Sequence, residues 1–259
     1  MRIASWNVNS IRPRMEQLTS WLVRARPDVV CLQETKVEDE KFPAGEIGDA
    51  GYAFCHFGQR TYNGVAILAR YGLALEDVKR NLDDDPADAH RRLIAATVEG
   101  IRIVNVYVPN GQELTAPAYQ YKLEWLARLK ADLVRHHRPD EPLVVCGDFN
   151  VAPDPIDVHN PKKWDKTVLF DDAARDRLRE VMSFGLVDAF RKKHPEAKEF
   201  SWWDYRLGAY KRNWGLRIDL ALVTEPLFAR VTDVHIDKGP REMERPSDHT
   251  PVVVDVAPA

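Results

Sequence analysis

Short apolar runs recur along the chain, and several of them carry an acid or an amide at or near one end. Runs of this length predict buried β-strands. Carboxylates are rarely buried unless they are paired or bound to a metal, so acids at several strand ends predict that these ends converge on one pocket. The runs and their polar residues are 2–8 with Asn7, 29–34 with Gln33 and Glu34, 143–150 with Asp148 and Asn150, 218–223 with Asp219, and Val252–Val256 after Ser247, Asp248 and His249.

Helical spacing of apolar residues predicts three helices, over 14–25, 118–136 and 171–184. In the second helix, the residues expected to face the core are Leu123, Leu126, Leu129, Leu133 and Val134. Further strands are expected at 52–57 and 65–69, with a hairpin over 93–98 and 101–108. Because few helices separate the strands, this order predicts an α/β (α+β) fold with two packed mixed β-sheets and helices outside. No linker-like stretch interrupts it, so we expect a single domain over 1–259.

Composition narrows the class of protein. A chain of 259 residues with 44% hydrophobic residues can bury a substantial core. No run approaches the length of about 18 apolar residues that a membrane span needs, so no membrane association is expected. Cys31, Cys55 and Cys146 lie in apolar surroundings without a CxxC pair, and no secretory signal precedes the first strand. We therefore expect free thiols in a reducing compartment and a cytoplasmic enzyme.

The net charge of −3 argues neither for nor against nucleic acid, but the distribution of charge does. Basic residues interleave with aromatic residues over 191–217 and again over 162–166. Cations that bind phosphates and rings that stack on bases are typical of a nucleic-acid surface. The alternative is a solvated loop with a few core aromatics.

Two local spacings bear on chemistry. Asp148 and Asn150 are two residues apart, so in an extended segment their side chains point the same way. Asp219 lies in an apolar strand, where a carboxylate needs a partner, and His249 is the natural candidate. Convergent oxygen ligands with one histidine suit a hard cation such as Mg²⁺, with Mn²⁺ as a substitute, and such a site indicates phosphate chemistry.

Six short motifs occur in order: WNVN at 6–9, LQETK at 32–36, NGVAIL at 63–68, GDFN at 147–150, LRID at 216–219 and SDH at 247–249. Together they resemble the motifs of the endonuclease/exonuclease/phosphatase superfamily. The segments FSWWDYR at 200–206, GLRID at 215–219 and RPSDH at 245–249 resemble more specifically its exonuclease III branch of abasic-site endonucleases. The resemblance spans essentially the whole chain and implies a four-layered α/β sandwich.

The resemblance also implies roles for individual residues. Glu34 is the principal Mg²⁺ ligand, Asp148 orients or deprotonates water, and Asp219 with His249 forms a dyad at the phosphate. Whether Asp148 and His249 act as bases or as electrostatic stabilisers, and whether one or two metal ions take part, stays open. The implied catalytic set is Tyr107, Asp148, Asn150, Asp219 and His249, and the implied metal set is Asn7, Glu34, Asp148, Asn150, Asp248 and His249.

The implied substrate is duplex DNA with an abasic site or a blocked 3′-end, bound by a monomer. Hydrolysis of the phosphodiester 5′ to the abasic site is the expected activity, with 3′→5′ exonuclease and 3′-end phosphatase or phosphodiesterase activity beside it. Trp202, Leu216 and Ile218 match the positions of the pocket for the sugar, while Tyr62, Arg206 and Lys211 are expected to contact DNA. The alternatives are a related phosphatase or phosphodiesterase of the superfamily and an inactive DNA-binding module.

Overall fold

Twelve strands form two sheets in the part of the chain that this computed structural model describes, residues 1–83 and 90–258. The strands are β1 (Arg2–Asn7), β2 (Val29–Gln33), β3 (Tyr52–Phe57), β4 (Val65–Arg70), β5 (Glu76–Arg80), β6 (Leu93–Val98), β7 (Ile101–Tyr107), β8 (Leu143–Asp148), β9 (Leu186–Asp188), β10 (Asp219–Thr224), β11 (Val231–Ile236) and β12 (Val252–Val256). The first sheet has the order β11-β12-β1-β2-β4-β3 and the second β5-β6-β7-β8-β10-β9. Each sheet is mixed, because β1 pairs with β2 and β7 with β8 in parallel while the other pairs are antiparallel.

Helices flank the two sheets, and the short helices α6 and α7 pack at the edge of the cluster between them. They are α1 (Met15–Ala25), α2 (Ala44–Asp49), α3 (Pro117–His136), α4 (Pro161–Trp164), α5 (Asp172–Met182), α6 (Ala189–Lys193) and α7 (Glu225–Phe228). Leu18 and Trp21 of α1 pack on the first sheet, while Trp125 and Leu129 of α3 pack on the second. A third apolar cluster lies between the two sheets. The order helix, sheet, sheet, helix confirms the predicted four-layered class.

The register of the central strands brings their polar ends together. Asn7 is paired with Gln33 at the ends of β1 and β2, and Tyr107 is paired with Asp148 at the ends of β7 and β8. Asp219 lies opposite Asp148 because β10 runs antiparallel to β8 and begins where β8 ends. The polar strand ends of both sheets therefore lie at one edge of the sandwich.

Two sequence expectations need correction. Val134 does not face the core: it is 62% exposed, because the buried face of α3 runs through Trp125, Leu129 and Leu133, and Val134 is turned about 100° from Leu133. The apolar pattern also gave no sign of three edge strands: β5, whose residues are largely exposed, the three-residue β9, and β11, which lies between the two strands expected to be the last. Cys31, Cys55 and Cys146 are buried free thiols, as expected. Among the described residues, no helix has the length and apolar character of a membrane span.

Candidate active site

The side chain of Asn7 bridges two carboxylates that belong to different sheets. Its Nδ2 donates to Glu34 Oε1 at 2.8 Å and to Asp148 Oδ2 at 2.9 Å. Its Oδ1 accepts from the backbone N–H of Asn9 at 2.9 Å, which fixes the orientation of the amide. The backbone carbonyl of Asn7 in turn accepts from Ser247 Oγ at 2.7 Å. The end of β1 therefore holds the metal-ligand candidates and the segment before β12 in one place.

Asp219 and His249 form a buried pair. His249 Nδ1 lies 2.9 Å from Asp219 Oδ2 and 3.1 Å from Oδ1, so this nitrogen carries the proton that the carboxylate accepts. The other ring nitrogen, Nε2, faces Asp148 Oδ2 at 3.7 Å. Ser201 Oγ accepts from the backbone N–H of Asp219 at 3.1 Å and fixes the start of β10. The acid thus orients the ring so that Nε2 points into the cluster of strand ends.

Burial and charge shift the pKa values of two groups in this cluster. Burial, with the charges of Asp219 and Glu34, raises the pKa of Asp148 from 3.8 to about 7, although His249 and Asn7 oppose the shift. Burial alone would lower the pKa of His249, but Asp219 and Asp148 raise it to about 10. The imidazole is therefore cationic at neutral pH, while Asp148 titrates near neutrality. This cluster of carboxylates favours an added cation.

Three residues of the cluster are arranged as a metal-binding set. Ligand atoms of Glu34, Asp148 and His249 all lie within 4.8 Å of one another. The carboxylate oxygens of Glu34 and Asp148 fit a hard divalent ion, while the cationic ring of His249 borders the set without a free lone pair. Two other acid and histidine groups in the described chain are more exposed than this one. These groups are Asp83, Asp132 and His136, and Asp233, His235 and Asp255.

Asp248 lies beside this set, and both of its carboxylate oxygens are hydrogen-bonded. Oδ1 accepts from Asn9 Nδ2 at 2.9 Å, and Oδ2 accepts from the indole N–H of Trp202 at 3.0 Å. Asn9 Oδ1 accepts from Lys36 Nζ at 2.7 Å, and Lys36 pairs with Glu34 Oε2 at 2.7 Å. Asp248 is thereby connected to Glu34 through Asn9 and Lys36, neither of which the sequence analysis assigned a role.

Asn150 and Tyr107 flank Asp148. Asn150 has a left-handed backbone with φ of 50°, and its N–H donates to Asp148 Oδ1 at 2.8 Å. Asn150 Nδ2 donates to the carbonyl of Val108 at 3.0 Å, and Asn150 Oδ1 accepts from Asn110 Nδ2 at 3.0 Å. Burial raises the pKa of Tyr107 well above its usual range, and the charges of Glu34 and Asp148 raise it further. The phenol therefore keeps its proton and can donate a hydrogen bond.

A cavity of about 440 Å³ opens beside Asn110, and Trp202 forms part of its wall together with Trp164, Val168 and Arg206. Leu216 is not exposed: its backbone exchanges two 3.0 Å hydrogen bonds with Trp202. Ile218 is 1% exposed and belongs to the same buried cluster, against which Trp202 packs. Of the three residues predicted for the pocket, Trp202 thus lines the cavity, whereas Leu216 and Ile218 support it from the core.

The three residues predicted to contact DNA lie on the surface. Tyr62 is 67% exposed, Lys211 is exposed, and the side chain of Arg206 is 85% exposed. Arg206 binds the carboxylate of Asp204 at 3.0 Å. All three are accessible to a large ligand.

The chain matches the model of the Endonuclease/Exonuclease/phosphatase family over residues 4–249. Exodeoxyribonuclease III of Haemophilus influenzae is 36% identical over 97% of this chain and 98% of its own length. The structure of an AP endonuclease from Archaeoglobus fulgidus is 43% identical, with a TM-score of 0.95 over 99% of both chains. The structure of a 3′ phosphatase from Neisseria, bound to a product DNA hairpin, is 40% identical, with a TM-score of 0.94 over 99% of both chains.

Proposed function

We propose that this chain, which belongs to the endonuclease/exonuclease/phosphatase family, hydrolyses the phosphodiester 5′ to an abasic site in duplex DNA. The chain is a homologue of exodeoxyribonuclease III and of AP endonucleases over nearly its whole length, and it is a nuclease. We add to the proposal a 3′→5′ exonuclease and a 3′-end phosphatase or phosphodiesterase activity at the same site. The names of the H. influenzae and Neisseria relatives support that addition.

The observation that carries the proposal is a continuous line of polar groups at the strand ends. The line runs from Asp219 through His249 and Asp148 to Asn7 and Glu34, and it crosses from one sheet to the other. It combines a candidate metal set with a cationic imidazole next to an accessible cavity. Phosphodiester hydrolysis needs these groups together, because negative charge develops on the phosphoryl oxygens while water is deprotonated.

We propose Mg²⁺ as the metal, with Mn²⁺ as a substitute, held by Glu34 with Asp148 and His249 nearby and with Asn7, Asn150 and Asp248 completing the surroundings. The bound ion would polarise a phosphoryl oxygen and stabilise the leaving 3′-oxygen. The donor set supports this choice, since oxygen ligands predominate in it.

The remaining steps fall to side chains of the protein. Asp148 accepts a proton from the attacking water or holds that water in line, which its pKa of about 7 favours. His249 and Tyr107 would donate hydrogen bonds to the phosphoryl oxygens, and Asn7 and Asn150 would do so once an amide N–H is released from Asp148. Asp219 keeps the His249 ring in one tautomer and stabilises its positive charge.

Selectivity for an abasic nucleotide would come from the cavity beside Trp202. A sugar that has lost its base fits a small apolar recess, and extruding it from the duplex costs least where no base must be unstacked. Arg206, Lys211 and Tyr62 would contact the DNA outside the cavity.

We further propose that the protein acts as a monomer. A single domain is supported by the site, which draws on residues from Asn7 to His249. A location in the cytoplasm is supported by the three cysteines, which are free thiols.

The decisive assay incubates the protein with four duplexes: abasic, 3′-phosphate-ended, 3′-recessed and undamaged, each with Mg²⁺ and with EDTA. We expect incision 5′ to the abasic site in Mg²⁺ and loss of all cleavage in EDTA. Glu34→Gln is the matched negative control, because it keeps the shape of the side chain and removes its charge. Activity on the 3′-phosphate alone would replace the abasic proposal with a 3′ phosphatase. No cleavage of any duplex would leave a DNA-binding module.

A further inference from the structure

Lys122 is a buried cation on the inner face of α3. The residue has no exposed surface, and its ammonium makes no ion pair with a carboxylate in the described part of the chain. A buried ammonium is costly unless its N–H groups are all satisfied. Its Nζ instead donates to three backbone carbonyls, those of Asn110 at 3.1 Å, Asn150 at 2.6 Å and Val168. Three donors meet three acceptors, which is the stoichiometry of a protonated amine.

The three carbonyls belong to three separate segments. Asn110 follows β7, Asn150 follows β8, and Val168 lies between α4 and α5. The side chains of Asn110 and Asn150 are also joined, since Asn110 Nδ2 donates to Asn150 Oδ1 at 3.0 Å. Lys122, Asn110 and Asn150 therefore form a closed ring of hydrogen bonds, with one link between side chains and two links to the ammonium.

This ring connects the catalytic centre to the cavity. Asn150 belongs to the proposed phosphate site, whereas Asn110 and Val168 line the cavity beside Trp202. A shift of any one segment would stretch a hydrogen bond to a charged donor, and such bonds are roughly twice as strong as neutral ones. Lys122 therefore helps to fix the relative position of the phosphate site and the cavity wall, together with the link between Asn110 and Asn150 and the backbone hydrogen bond from Ala152 to Leu169.

We propose that Lys122 is a positioning residue, which sets the alignment of the scissile phosphate with the sugar-binding cavity by holding Asn110, Asn150 and Val168 in register. It has no exposed surface, its hydrogen bonds are to these three carbonyls, and its charge also interacts with Asp148 and Asp171. The inference rests on the proposed function for the nature of the substrate. The geometry of the ring does not depend on that function.

The first test is Lys122→Met, which keeps most of the side-chain volume and removes the charge and all three donors. A displacement of about 1 Å at a reacting centre costs about 10²-fold in rate, so we expect kcat on the abasic duplex to fall about 10²-fold. The dissociation constant for uncleaved duplex in EDTA should stay within about threefold, because the exposed surface is unchanged. Lys130→Met, about two turns further along α3, is the matched control and should change neither quantity.

A double-mutant cycle separates positioning from general support of the fold. Asn110→Ala breaks the link between side chains and leaves the buried ammonium in place, so it also serves if Lys122→Met does not fold. If Lys122 acts through the ring, Asn110→Ala lowers kcat by a similar factor and the double variant is little worse than either single variant. A full kcat in Asn110→Ala, a kcat within threefold of wild type in folded Lys122→Met, or equal loss of kcat and DNA affinity would each overturn the proposal.

The two proposals fail in different ways. A wild-type protein that leaves the abasic duplex intact but removes a 3′-phosphate would refute the abasic specificity alone. The same variants would then be compared on the 3′-phosphate duplex, where the ring still aligns phosphate and cavity. Additive effects in that cycle would refute the positioning role while leaving the nuclease intact.

Discussion

Within residues 1–83 and 90–258, two of the buried clusters of charge differ in how their charge is balanced. In the first, Arg217 is 1% exposed and binds Asp157 and Asp188 at 2.7 Å each, while Arg191 adds a second cation at Asp157. Two carboxylates therefore meet two guanidinium groups. Burial acts to lower the pKa of Arg217, but Asp188 and Asp157 more than offset it and raise that pKa above its usual value.

The second cluster lies at the strand ends, and its carboxylates outnumber its cations. Its acids are Glu34, Asp148, Asp219 and Asp248. Its cations are His249 and Lys36, with Lys122 close enough to Asp148 for their charges to interact. The balanced cluster requires no added ion, and it fixes the loop before α4 against the start of β10. The acidic cluster keeps a carboxylate with a raised pKa, which marks it as the one that takes up a metal ion or a proton. Charge balance, rather than burial, distinguishes the candidate site from the balanced cluster.

Removing one carboxylate from the acidic cluster should have the largest effect on catalysis. We expect Asp219→Asn to lower kcat by about 10²–10³-fold, since the imidazole loses its orienting acceptor. The affinity for uncleaved DNA should stay within about threefold. Steady-state kinetics on the abasic duplex and titration in EDTA measure the two quantities. Near-normal turnover in Asp219→Asn, or in His249→Ala, would remove the pair from the mechanism.

Breaking the balanced cluster should affect stability instead. Arg217→Met leaves Asp188 buried without a cation and Asp157 with Arg191 alone, and removal of one partner from a buried ion pair costs about 3–5 kcal/mol. We expect urea denaturation to show this loss in the free energy of unfolding. The kcat per folded molecule should remain within about threefold. The comparison fails if the unfolding free energy is unchanged while kcat collapses.

Metal binding should depend on pH through Asp148. Its pKa in the folded chain, about 7, lies above the ordinary value of 3.8, so between these values the folded state holds a proton that the unfolded state releases. The metal-free protein therefore loses stability as the pH rises through 7, and a metal ion must displace the proton below that pH. At pH 8, Mn²⁺ at 100 times its dissociation constant should raise the free energy of unfolding by about 2.7 kcal/mol. The same concentration of Mn²⁺ should raise it by less at pH 6. Thermal denaturation at both pH values measures this, and Asp148→Asn should abolish the difference.

The smallest expected effect concerns the exposed surface. Arg206 and Arg138 are both exposed, and each binds an aspartate two residues away, Asp204 and Asp140. Arg206→Ala should weaken DNA binding by about threefold. It should also make the plot of log K against log salt concentration less steep by about 1, as loss of one phosphate contact does. Arg138→Ala is the matched control, since Arg138 follows α3 at the other end of β8. Equal effects of the two changes would show that DNA does not pass over Arg206.

Much of the fold was predictable from the sequence for a physical reason. Strands that are covered on both faces are apolar throughout, so β2 and β8 stand out as uninterrupted runs. The exposed edge strand β5 has no such pattern, and short helices such as α2, α6 and α7 have too few turns to show one. Val134 was misplaced because spacing alone does not fix which flank of an apolar stripe meets the sheet.

The candidate site was predictable only in part. Acids at the ends of apolar strands are conspicuous, and the fold places Asn7, Asp148 and Asp219 side by side because those strand ends are in register. Lys122 was missed because its partners are backbone carbonyls, which no sequence pattern displays. The one available signal was a lysine on the apolar face of α3, three residues before Trp125.

The hydrogen bond from Ser247 to the carbonyl of Asn7 spans 240 positions of the chain, and β1 itself lies between β12 and β2. A nascent polypeptide on the ribosome contains Asn7, Glu34 and Asp148 long before it contains His249. Under the proposed mechanism, those acids have no imidazole beside them until residue 249 has been synthesised, so the site is incomplete in any shorter chain.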